Sequence, residues 1–164
     1  GAQPIASYNF GAGNADRVKK TFRLLLTTCL IYSFVIWGAI MLFPRTFAGI
    51  FSPDAQLIAF TARALRIYCA VLCIFGIQIA CQMTFVSTGN ALCSITVAVV
   101  RKFVLLLPLI FLMPRLVQNK TIGVYLAEPV ADMIAVTFTT ILFAVQFKKA
   151  MKAMENTKRK AEGA

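Results

Sequence analysis

The sequence predicts an all-α polytopic membrane protein, on three observations. Of 164 residues, 59% are apolar and the mean hydropathy is +0.77, far above soluble averages. Residues 24–43 and 67–86 are each twenty residues long and free of charge, which is the length a helix needs to cross about 30 Å of hydrocarbon. The basic residues that make up most of the net charge of +11 gather at the ends of the apolar segments rather than along one soluble face. That placement fits membrane topology and excludes a nucleic-acid-binding surface.

Four spanning helices follow in chain order, over 22–43, 60–86, 92–114 and 122–147. Before the second, SPDAQLIAF supplies Ser52 as an N-cap, Pro53 at the first helical position and Asp54 to complement the positive helix end. A helix running from there to Val86 is about 50 Å long at 1.5 Å per residue. It exceeds the hydrocarbon core and must protrude, bend or begin on the interface, where Phe47, Ile50 and Phe51 lie. The third span has to include Arg101 and Lys102, because the charge-free piece 103–113 is too short to cross alone. The closing MKAMENTKRKAEGA has no apolar face long enough to fold by itself and is expected to be a solvated basic tail over 148–164.

Two further patterns bear on organisation. GAGNADRVKK (11–20) and STGNALCSITVAVVRK (87–102) both place Gly-Asn-Ala at a helix end with a basic residue downstream, and Gly13 and Gly89 suit tight turns. Ten Lys and Arg flank one side of the four spans (17–23 and 148–160) and five flank the other, so both chain ends are expected in the cytoplasm. The start at Gly1, without Met or a signal-peptide pattern, leads to the expectation that more chain precedes it. Histidine is absent and the five cysteines lie in or beside apolar segments, so no metal site and no catalytic chemistry are expected.

The fourth span raises a sharper question, since YLAEPVADMIAVTFTTILFAVQF opens with two carboxylates and a proline. Glu128 and Asp132 are i, i+4 and share a helix face. Pro129 between them leaves the carbonyl of Tyr125 without its helical donor. Such irregular backbone is tolerated where it is buried in protein or lines a wet cavity. Arg101 and Lys102 lie about 18–20 Å below the outer end of their span and Asp132 about 16 Å below the start of its own, so Asp132 is expected to pair with Lys102 or Arg101. Gln78 and Gln82 form a second polar pair near Gly76, suited to helix-to-helix bonding or to a passing substrate. Pro108 frees the carbonyl of Val104 and marks a second flexible point.

The opening GAQPIASYNFGAGNADRVKK resembles the Q-P-I-x-S-Y-N-x-G-A stretch at the cytoplasmic end of the eighth helix of multidrug and toxic compound extrusion (MATE) transporters. FPRTFAGIFSPD, FVSTGNA and AEPVADMIA are similar to the loop after the ninth helix, the end of the tenth and the start of the twelfth in that family. The resemblance implies that the four spans are the ninth to twelfth helices and form most of one six-helix lobe, with 1–21 the end of the eighth helix and its loop. It implies a transporter exporting organic, often cationic, compounds in exchange for Na+ or H+, partnered by membrane lipid and by the N-terminal lobe of the same polypeptide, and needing no cofactor. On it rest a bacterial plasma-membrane location and gating or packing roles for Gln3, Pro4 and Asn9. Candidates for the substrate or cation pathway are Gln78, Gln82, Lys102, Glu128 and Asp132; candidate bend points are Pro108 and Pro129. Members with a cation site in this lobe carry an acidic residue in the tenth helix, where this chain has only Gln78 and Gln82. A lipid-linked oligosaccharide flippase with a basic cavity and a non-transporting membrane scaffold are the alternatives.

Overall fold

The computed structural model describes residues 1–51 and 53–162, with side chains described through Asn156. Helix α1 (Ala2–Gly11) leads by a turn into α2 (Ala15–Leu42). The short α3 (Pro44–Gly49) then turns the chain into α4 (Ala55–Tyr68). After α4 come α5 (Leu72–Ser87), α6 (Ala91–Val99), a π-helical segment (Val100–Leu106), α7 (Leu107–Leu116) and α8 (Lys120–Glu162). Three helical stretches, Ala15–Leu42, Ala91–Leu116 and Lys120–Asn156, are long and apolar enough to cross a membrane, and α4 with α5 makes a fourth if the bent pair is one span.

That pair shows what the chain does with a helix too long for the bilayer. It breaks between Tyr68 and Leu72 and bends by 50°. The break has no proline or glycine to cause it. The Trp37 indole N–H donates to the Ala70 carbonyl at 3.0 Å, so α2 satisfies a backbone group that the interruption frees. At the head of α4, Asp54 is the N-cap and accepts from the Gln56 N–H at 2.8 Å; Pro53 precedes the helix instead of opening it, and Ser52 lies outside the described residues.

Close approach of α5 to α2 depends on Gly76. A Cβ there would stand 2.6 Å from the Cys29 carbonyl oxygen and 2.8 Å from Ser33 Oγ, distances that no side chain occupies without moving backbone. Gly123 plays the same part between α8 and α7, where a Cβ would meet the Pro114 backbone at 2.8 Å.

The two Gly-Asn-Ala echoes fold alike. Gly13 and Gly89 are the glycines with positive φ, at 71° and 74°, a conformation that excludes most L side chains. At the first turn Ala12, Gly13 and Asn14 donate to Tyr8, Phe10 and Asn9; at the second Thr88, Gly89 and Asn90 donate to Thr84, Val86 and Phe85. The offsets are four, three and five residues both times, so one backbone motif closes both helices.

Toward the end of the bundle where these turns lie, aromatic rings knit three helices together. Phe143 stacks on Phe22 at 4.6 Å and on Phe147 at 4.9 Å, and meets Phe85 edge-on at 5.3 Å. Below them α8 continues as helix through the stretch expected to be a solvated tail. The reason is a face that sequence inspection undervalued: Met151 and Met154, three apart, bury themselves against Ala15 and Val18 of α2 with Phe10 of α1 alongside. Lys19 and Glu155 pair at 3.0 Å on the surface of the same contact. Both termini of the described chain therefore lie at one end of the bundle, and the outward surface of the spans is apolar, with Leu92, Phe111, Tyr32 and Phe103 each more than 65% exposed. The fold is that of an integral membrane protein.

Candidate functional site

Pro129 lies in the third turn of α8 inside an otherwise continuous helix, and its neighbours Glu128 and Asp132 are both only 8% exposed. What they face is Arg101. Its Nε donates to Asp132 Oδ1 and its Nη2 donates to Glu128 Oε1 at 3.1 Å, so a single guanidinium bridges one turn of α8. The same guanidinium lies 4.5 Å from the centre of the Phe75 ring of α5, in cation–π geometry.

The basic pair thus divides its work. Arg101 is inward, while Lys102 has a half-exposed side chain and reaches Glu128 Oε1 at 3.6 Å. Both basic side chains reach α8, but only Arg101 contacts both carboxylates and the Phe75 ring. Both lie in the π-helical segment that starts at Val100. Pro108, exposed and just inside the start of α7, brings no N–H to the ladder immediately after that segment. Two cations and two carboxylates sum to zero charge within the cluster.

Three irregular pieces of backbone meet at this level: the break after Tyr68, the π-helical segment and the Pro129 turn. Tyr68 lies within electrostatic range of Glu128, Asp132 and Arg101, which ties the break to the charges. Farther out, Phe60 of α4 meets Tyr125 of α8 with centroids 6.3 Å apart, closing the outer side.

The other candidates scatter. Gln78 is 1% exposed and its Oε1 has no hydrogen-bond partner among the described residues, which leaves an acceptor in the interior at a cost of about 1–3 kcal/mol if nothing fills it. Gln82, one turn on, is only partly buried. Gln3 and Pro4 are exposed on α1, far along the chain from the charge cluster, whereas Asn9 is buried, donates to the Ile5 carbonyl at 2.8 Å and carries a second unpartnered acceptor. Arg101, one of the two partners expected for Asp132, is the hub; Phe75, its platform, was not singled out. The aromatic directly before Gly76, at the closest helix approach, is the signal that marks Phe75.

Comparison with known proteins identifies the family and the fold. A family model described as MatE matches residues 1–112. No curated protein matches the chain. Among solved structures, the chain is similar in fold to a multidrug resistance MATE family transporter of the MOP superfamily in its inward-facing conformation, with a TM-score of 0.84 and 14% identity, over 92% of this chain and 35% of that one. At that identity the likeness concerns the fold alone, and this chain spans just over a third of the transporter's length.

Proposed function

This chain belongs to the MatE family, and from that premise we propose that it is the C-terminal lobe of a secondary active exporter of organic, often cationic, compounds, driven by entry of Na+ or H+. Family members are transporters, not enzymes. The observation that carries the reading is the convergence of a broken helix, a π-helical segment and a proline turn on one buried charge cluster. Irregular backbone at membrane depth serves transporters at their binding and gating sites. The cluster also contributes little net stability for the desolvation it requires, which suits a switch better than a strut.

In this proposal Asp132 and Glu128 respond to the coupling ion. A proton or Na+ arriving at either carboxylate weakens its hold on Arg101, and the freed guanidinium then biases the packing of α8 against α5 and the π-helical segment. Gln78, Gln82 and Lys102 line the path, and Gln3, Pro4 and Asn9 act in gating and packing at the inner end. The chain ends lie in the cytoplasm of a bacterial cell, in keeping with ten basic residues on that side against five on the other.

A scaffold also pairs its polar side chains with one another, as this cluster does; family membership weighs against it. An oligosaccharide flippase needs a basic cavity, and Arg101 is instead committed to two carboxylates. The test is dye export by the intact protein in vesicles under a Na+ or an H+ gradient, wild type beside Asp132→Asn. Export by the wild type under one gradient, lost in the variant, is the expected result. Equal export by both proteins under either gradient overturns the role of Asp132, and no export by the wild type overturns the transport reading.

A further inference from the structure

The inner end of α8 carries a cavity of about 280 Å³ that the transport reading leaves unused, between the turn joining α5 to α6 and α8 itself. Its apolar lining is Phe85, Phe143 and Phe147; its polar lining includes Asn90, Gln146 and Lys149. Amide and ammonium donors thus converge beside an aromatic wall. Lys149 is exposed and has no carboxylate partner among the described residues. Its neighbours Lys148 and Lys152 are exposed as well.

The position along α8 says what such a cavity takes. Lys149 follows the apolar run that ends at Phe147, so it sits where hydrocarbon gives way to headgroups. Ile141 and Val145, 62% and 50% exposed, precede it at intervals of four, and an apolar strip therefore leads along one helix face to the ammonium. A small soluble anion would leave that strip and the aromatic wall unused. A zwitterionic headgroup would bring a quaternary amine among three lysines.

We propose that this cavity binds an anionic phospholipid, with the phosphate held by Lys149, Gln146 and Asn90 and the upper chain laid along Val145 and Ile141. The site stands independently of the transport reading. Lipid bound there bridges the second Gly-Asn-Ala turn to α8 and braces the inner end of the bundle.

The test is native mass spectrometry of the intact protein in neutral detergent, titrated with phosphatidylglycerol or phosphatidylcholine. One phosphatidylglycerol is expected to bind ahead of phosphatidylcholine. Lys149→Gln weakens that binding about fivefold, whereas Lys152→Gln, outside the lining, changes it less than about twofold. Ala153→Phe fills the cavity without altering charge and displaces the lipid. Equal affinity for the two lipids, equal effects of the two lysine substitutions, or undiminished binding by Ala153→Phe would each overturn the proposal.

Discussion

Replacing Arg101 by Met tests the charge cluster directly, because it removes the one group that compensates both carboxylates. Asp132 loses its only ion-pair partner among the described residues, while Glu128 keeps Lys102 at 3.6 Å. Breaking a buried pair by deleting one partner costs about 3–5 kcal/mol. The Arg101 side chain is 16% exposed and those of the carboxylates 11%, so the lower half of that range applies. Loss of the contact with Phe75 adds up to about 1 kcal/mol. The expectation is therefore about 3–5 kcal/mol of lost stability, read as the shift in the denaturation curve of the intact protein titrated with SDS in mixed micelles. Lys102→Met is the control, with a loss under about 1 kcal/mol because its charge is half in solvent. Combining Arg101→Met with Asp132→Asn and Glu128→Gln removes the uncompensated charge and should recover most of the loss. An Arg101→Met protein within about 1 kcal/mol of wild type, or a triple variant no better than the single, would refute the reasoning.

Two other substitutions test the frame around the cluster. Gly76→Ala forces α5 away from the Cys29 backbone and should cost about 1–3 kcal/mol, whereas Gly38→Ala, whose Cβ would meet nothing within 4 Å, should be neutral or slightly stabilising; equal stabilities of the two variants in the same SDS titration would contradict the close approach. Met151→Ala with Met154→Ala empties the contact beneath α2 and should speed trypsin cleavage after Lys148, Lys149 and Lys152, while Glu155→Gln, which breaks only an exposed pair, should leave the rate unchanged.

Much of the fold is legible in the sequence because hydrocarbon imposes a length. Twenty uncharged residues at 24–43 have few other uses, and depth along neighbouring antiparallel spans is enough to set Asp132 opposite the pair Arg101 and Lys102. Gly13 and Gly89 announced their turns because only glycine adopts that φ at no steric cost. What stayed hidden depends on contacts between helices. The break at Cys69–Val71 occurs without proline or glycine and is held by Trp37, which bonds Ala70 thirty-three residues away. That Arg101 rather than Lys102 holds both carboxylates and meets Phe75 depends on which of two adjacent residues faces α5 and α8, which residue type does not encode. Met151 and Met154 looked like isolated apolar residues in a basic tail until α2 supplied the surface that covers them.

Helix α8 runs unbroken for 43 residues, from the loop after α7 past the charge cluster to Glu162. It is a rod of about 64 Å, and tilted about a point near Asp132 it would act as a lever. The arm from there to Glu155 is about 35 Å, so a tilt of about 10° at the pivot swings the far tip by about 6 Å. A tilt of that size, were the proposed release of Arg101 to cause one, would act on the seat of Met151 and Met154 at the far end of the helix.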